Sequence, residues 1–256
     1  MPRAMDRDAI NACAALVEKG DPDRFLAAMA APVAARAALF PLYAFNLELA
    51  RAPWVTREPM IAQMRLQFWR EVVDLEEMKA HEVASPLQAL IRGGLPAAPL
   101  HAMIDAREAE IGTAQPFDGE AALWAYLDGT GGALMRAAVL ALGGPDSAAA
   151  GDLGAAQGLA NYLLALPALD AAGRRGLPEG AAVAALAETG LDRIGRATRA
   201  LRGLPAPARP ALWAAWRTGA VLRRARARPA LVQGGGLAEA EILRRAGLIW
   251  HRLRGF

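Results

Sequence analysis

Cysteine is almost missing from this chain of 256 residues. Cys13 stands alone, so no intrachain disulfide can form, a disulfide-built scaffold is excluded, and a reducing compartment is expected. Lysine is nearly as scarce: Lys19 and Lys79 are the only two, so almost every positive charge is an arginine. Aromatics are only 6% and β-branched runs are few, which argues against a sheet protein. No uncharged apolar run reaches the ~18 residues of a membrane span. The longest candidate, LGAAQGLANYLLALPAL, contains Asn161 and Pro167 and reads as a buried core helix. The first residues, MPRAMDRDAINACAALVEKG, carry Asp6 and Asp8 without a long apolar stretch, unlike a signal peptide. His81, His101 and His251 are far apart and lack metal-ligand spacing, so structural or surface roles are expected. There is no P-loop and no serine-hydrolase elbow, and DGTGGAL lacks the preceding strand that a dinucleotide site needs.

What is present is apolar and helix-forming. Hydrophobic residues make up 54%, much of it alanine, the strongest helix former, so an all-α protein is expected. The spacing predicts helices near Asp6–Lys19, then from Pro22 with Asp21 as N-cap, then through APVAARAALFPLYAFNLELA with a kink at Pro41 and a stop at Pro53. PMIAQMRLQFWREVVDLEE is amphipathic: Ile61, Met64, Phe68, Val72 and Leu75 form one stripe, Arg70 and Asp74 are spaced to pair, and Arg65 and Trp69 to stack. DGEAALWAYLDGTGGALMRAAVLALGG predicts a long helix interrupted near Gly129–Gly132, and DAAGRRGLPEG a loop. Further helical segments fill the last third, with a break at Gly234–Gly236, and no linker divides residues 1–256, so one domain is expected.

Net charge is +3, unevenly spread. After Gly190 acids nearly vanish while Arg193, Arg196, Arg199, Arg202, Arg217, Arg223, Arg224, Arg226 and Arg228 accumulate. Such asymmetry marks either a solvated helix face or contact with an anionic surface. Nucleic acid is not the expected partner, because no aromatics interleave and no recognisable module is present.

RFLAAMAAPVAARAALFPLYAFNLELA resembles the N-terminal core of the squalene/phytoene synthase family. Gly154–Pro178 follows that family's second signature without gaps, agreeing at Gly154, Ala156, Leu159, Asn161, Leu163, Gly173, Arg174, Leu177 and Pro178. RLQFW, SPLQAL and YLDGTGGALM match intermediate blocks. The resemblance implies an all-α, isoprenoid-synthase-like helical bundle around a central cavity. The family's enzymes join two prenyl diphosphates head to head, with Mg²⁺ neutralising the leaving diphosphate. Mg²⁺ takes hard carboxylate oxygens, and carboxylates four residues apart share one helix face.

Here the first motif's positions fall on Ala50, Arg51 and Trp54, and the second's on Ala165 and Leu169. Leu164 and Gly158 replace an arginine and a glutamine of the pattern. Pro53 and Pro167 are expected to disturb the helices concerned, and the nearest alternative carboxylates are Glu48, Glu71 and Asp170. Tyr43 and Asn161 sit where the synthases hold diphosphate, leaving a vestigial pocket or two satisfied buried hydrogen bonds. FNLELA followed by MRLQFWREVVD is closer to the non-catalytic branch, similar to assembly factors of respiratory complex I; Asn46, Glu48, Arg65, Trp69 and Arg70 carry that likeness. The resemblance therefore implies a binding or assembly protein without catalytic residues, metal or cofactor. The implied partners are respiratory subunits or an anionic membrane surface, with an isoprenoid or lipid in the cavity. The implied location is cytoplasmic and peripheral on the inner membrane face. The alternatives are an active Mg²⁺-dependent prenyltransferase or an isoprenoid carrier.

Overall fold

The computed structural model describes residues 7–237, apart from 57, 113, 114, 116 and 175. Their regular structure consists of twelve α-helices, one π-helical turn and two 3₁₀ segments, with no strand among the described residues. They fall into two compact units, each assembled from three sequence segments.

The first unit contains α1 (Arg7–Gly20), α2 (Pro22–Ala30), α3 (Val33–Arg51), α4 (Pro59–Asp74), α5 (Ala84–Arg92) and α6 (Ala98–Glu108), with residues 136–146 and 204–214. Asp21 starts α2 as expected: its carboxylate accepts the Arg24 backbone N–H at 3.0 Å, and Pro22 occupies a first-turn position where its missing N–H costs nothing. Helix α3 passes through Pro41 and ends at Arg51, two residues before Pro53. It packs against α1, α2, α5 and α6. Its Leu39, Leu42, Phe45 and Leu49 are fully enclosed with Cys13 and Val17 of α1 and Leu100 and Ile104 of α6. Each such aliphatic or aromatic side chain contributes roughly 1.5–3 kcal/mol by leaving water.

Helix α4 departs from the expected stripe. Ala62, Leu66, Trp69, Val72 and Val73 are buried, whereas Ile61 and Met64 are 43% and 67% exposed. Two overlapping apolar faces are written into this helix, and periodicity cannot choose between them. Packing against α5 and α6 decides in favour of the face that carries Trp69.

The second unit contains α7 (Gly119–Leu127), the π-helical turn Asp128–Gly132, the start of α8 (Ala133–Ala141), α9 (Ala148–Ala171), α10 (Val183–Ala200), α11 (Thr218–Ala227) and α12 (Ala230–Gln233). The expected interruption at Gly129–Gly132 is the π turn. Its glycines let it cross α9 at backbone distance: a Cβ on Gly131 would fall within 3.0 Å of the Gly154 carbonyl oxygen, and the converse holds for Gly154. These glycines serve helix packing. Around the crossing, Leu123, Leu127, Leu159, Leu163, Leu186 and Leu222 close the core. Helix α9 starts on Ser147, whose hydroxyl accepts the Ala150 N–H at 3.3 Å, and continues through Pro167 to Ala171, so that proline does not end it.

Candidate functional site

The C-terminal turns of α3 present two faces. Tyr43 and Ala50 recur at seven residues on one; Glu48 and Arg51 lie on another, at 100° per residue, with Ala52 and Trp54 in the turn that follows. The second face borders a cavity of about 670 Å³, lined also by Val55, by Ile61, Met64, Arg65, Phe68 and Trp69 of α4, and by His81. The structure thus gathers Glu48, Arg65 and Trp69 on one pocket. Asn46 and Arg70 do not line it.

The pocket floor is aromatic. Trp69 is 3% exposed and meets Phe45 and Phe68 edge-on at centroid distances of 5.3 and 5.1 Å, and His81 at 5.5 Å. Arg65 does not stack on Trp69 as its spacing suggested; it is exposed and has no partner among the described residues. Trp69 instead turns into the core, where the other rings take its edges and faces. Arg51 reaches Glu48 at 3.6 Å. His81 Nδ1 accepts the backbone N–H groups of Val83 (3.1 Å) and Ala84 (3.3 Å), which starts α5 and leaves the proton of the neutral ring on Nε2.

Arg70 has a structural task. Its guanidinium bridges α4 to α6 through Asp105 (2.6 Å) and Glu108, and not to Asp74, which pairs with His101 at 2.8 Å. A fork between two carboxylates on a neighbouring helix beats a single exposed partner one turn away. Partial burial opposes its charge, but the bonds to Asp105 and Glu108 outweigh that and hold its pKa above the ordinary value.

At the family's metal positions the donor set does not fit magnesium. Ala50 is half-buried in α3 and Ala165 is exposed on α9, where Leu169 is half-buried; none offers a carboxylate oxygen. Trp54 Nε1 donates to Glu110 Oε2 at 3.1 Å, and Glu110, only 7% exposed, also binds Arg107 at 2.7 Å. The alternative carboxylates are otherwise engaged or open: Glu48 faces Arg51, Glu71 binds Lys79 at 3.1 Å, and Asp170 is exposed. Among the described residues no three His, Cys, Asp or Glu side chains gather to hold a metal ion.

Tyr43 lies in the first unit and Asn161 in the second. Tyr43 is 2% exposed; burial pushes its hydroxyl pKa up, partly opposed by Arg24, whose guanidinium lies 5.8 Å from the ring centre. Asn161 is half-buried on α9. Neither side chain has a hydrogen-bond partner among the described residues.

Several arginines of the last third are consumed internally. Arg193 pairs with Asp128 and Asp152 and lies 4.2 Å over the Trp124 ring; Arg226 pairs with Glu188 at 2.6 Å; Arg224 donates to the Leu237 carbonyl at 2.8 Å. Arg196, Arg199, Arg202, Arg223 and Arg228 are exposed. His251 lies outside the described residues, and no described helix is long and apolar enough to cross a membrane. Sequence reasoning missed His81 as a pocket residue. Its only signal is its place just ahead of α5, which a lone histidine does not advertise.

Known proteins bear on this geometry. NADH dehydrogenase (ubiquinone) complex I, assembly factor 6 of Bos taurus is 32% identical over 162 residues, covering 60% of this chain and 48% of that protein. The chain thus spans about half the length of the curated relatives it matches. A dehydrosqualene synthase superposes with TM-score 0.74 at 17% identity over 95% of both chains. Squalene synthase HpnC from Alicyclobacillus acidocaldarius gives 0.71 at 17%, over 87% of this chain and 94% of that one. At such identity these two structures show a shared helical fold. The squalene/phytoene synthase family profile spans residues 17–181, from α1 across the α9 signature, and on that match this chain belongs to the squalene/phytoene synthase family.

Proposed function

We propose that this protein is a non-catalytic member of its family that acts as an assembly or binding factor for a respiratory NADH dehydrogenase complex. The observation that carries the reading is the use made of the metal positions. Ala50, Ala165 and Leu169 supply no ligand oxygen, and Trp54 is committed to the buried Glu110. Catalysis through a Mg²⁺–diphosphate cluster needs opposed carboxylates, and these positions carry none. The relatives named as complex I assembly factors supply the direction of the proposal.

The reading includes a single domain, because each compact unit is built from three separated stretches of chain and neither is a contiguous piece. It also includes a cytoplasmic location with peripheral attachment to an anionic membrane face, through the exposed Arg196, Arg199, Arg202, Arg223 and Arg228. Deleting the gene in its host and resolving NADH dehydrogenase on native gels tests the assembly role. Loss of the assembled complex, restored by the wild-type gene, is expected; unchanged assembly overturns it.

A further inference from the structure

The large apolar side chains that remain exposed are concentrated in one place. Seven are found among the described residues, and four of them, Val55, Met60, Ile61 and Met64, belong to the pocket wall or to the first turns of α4 beside it. Met60 and Met64 are 70% and 67% exposed. Contiguous exposed apolar surface next to a cavity marks an interaction site, and methionines suit one that must fit an irregular partner.

The polar groups around the pocket share one character. Arg65 has no partner among the described residues, and Arg51 has only Glu48, at 3.6 Å. His81 keeps an Nε2–H after both its backbone bonds go to Nδ1, and no described residue receives it. Among the described lining residues donors predominate: Glu48 is the one carboxylate, and Arg51 already faces it. The complementary occupant is apolar along one side and carries carboxylates beside that side. Of the first motif's positions, Arg51 lines this pocket, whereas Ala50 and Trp54 do not; Arg51 puts a guanidinium here where the family's motif has a carboxylate.

We propose that the cavity and the Met60–Ile61–Met64 stripe dock an amphipathic helix of a partner protein, with its apolar anchors on Phe68 and Trp69 and an Asp or Glu on Arg65. The proposal rests on the reading of this chain as a binding factor and supplies the surface that reading requires. Helices lie in such grooves through anchors three and four residues apart. A flat bilayer would cover Met60 and Met64 but leave the floor at Trp69 and His81 unfilled.

The test places the photo-crosslinker p-benzoylphenylalanine at Met64 in the full chain, in its host, and sequences the adducts. The expected adduct joins position 64 to one protein, within a segment whose apolar residues recur at three and four and which carries an Asp or Glu. Arg65→Glu should cut its yield at least tenfold, and a Lys in place of the partner's carboxylate should restore it. Both positions are exposed, and an unchanged melting temperature shows that the variants fold. Lipid adducts alone, adducts scattered over unrelated segments, or a yield indifferent to Arg65→Glu overturn the proposal. The two readings fail separately. Loss of the complex on deletion, with full rescue by Arg65→Glu, refutes this docking site and keeps the assembly role. The expected adduct without any effect of deletion on the complex refutes the assembly role and keeps the site.

Discussion

Replacing Gly131 with alanine tests the crossing on which the second unit is built. In a helix interior alanine is worth about 1 kcal/mol over glycine, so the change would be stabilising if space allowed. Here the new Cβ meets the Gly154 carbonyl oxygen within 3.0 Å, with Gly158 Cα at 3.2 Å. Both obstacles are backbone and cannot rotate aside, so α9 and the π turn must separate. Overpacking of this kind costs about 1–3 kcal/mol, and more where main chain moves. Set against the propensity gain, a net loss of about 2 kcal/mol is expected, which lowers Tm by about 4–8 °C in a chain of this size. Gly195→Ala in α10 is the control: only the Arg199 guanidinium lies near, at 3.7 Å, so Tm should rise by a few degrees. Circular-dichroism melts of the two variants beside wild type decide the matter. A Gly131→Ala Tm equal to or above wild type refutes the reasoning.

Trp54→Phe keeps an aromatic side chain but removes the donor to Glu110, leaving a carboxylate of 7% exposure short of one bond; urea unfolding should show a loss of about 1.5–2 kcal/mol. Cys13 is enclosed, and burial, aided by Glu82, pushes its thiol up to about 12 from 9.0. The thiolate, the alkylating form, should therefore be about a thousandfold scarcer in the folded chain at pH 8, and iodoacetamide should label Cys13 only after denaturant is added. Because the unfolded thiol ionises first, this group also lowers stability as pH climbs from about 9 towards about 12; Cys13→Ala should remove that part of an alkaline unfolding curve. In liposome co-sedimentation the protein should favour anionic over neutral vesicles, with the preference lost when Arg196, Arg199 and Arg202 become Gln; equal binding to both vesicle types removes the membrane proposal.

Much of the fold was legible because its signals are local. Asp21–Pro22 announces the start of α2, Gly129–Gly132 announces the break before α8, and alanine-rich spacing announces helices throughout. The face of α4 was not legible. Ile61–Met64–Phe68 and Leu66–Trp69–Val73 are both plausible stripes, and only contact with α5 and α6 selects the second. That same selection exposes Met64 and creates the pocket, so the candidate site was hidden for the reason the stripe was misplaced. Arg70 was expected to pair with Asp74, but its partners Asp105 and Glu108 lie 35 and 38 residues away, beyond any local pattern. The metal positions were readable at once, since a missing carboxylate is a property of sequence. The use of Trp54 to hold Glu110 needed the structure.

The central claim is that this chain keeps the family's helices without its diphosphate chemistry. Incubation of the purified full chain with farnesyl or geranylgeranyl diphosphate and Mg²⁺, followed by pyrophosphate release, tests it most directly. The account predicts release no faster than in the protein-free blank. Sustained turnover that requires Mg²⁺ would contradict it.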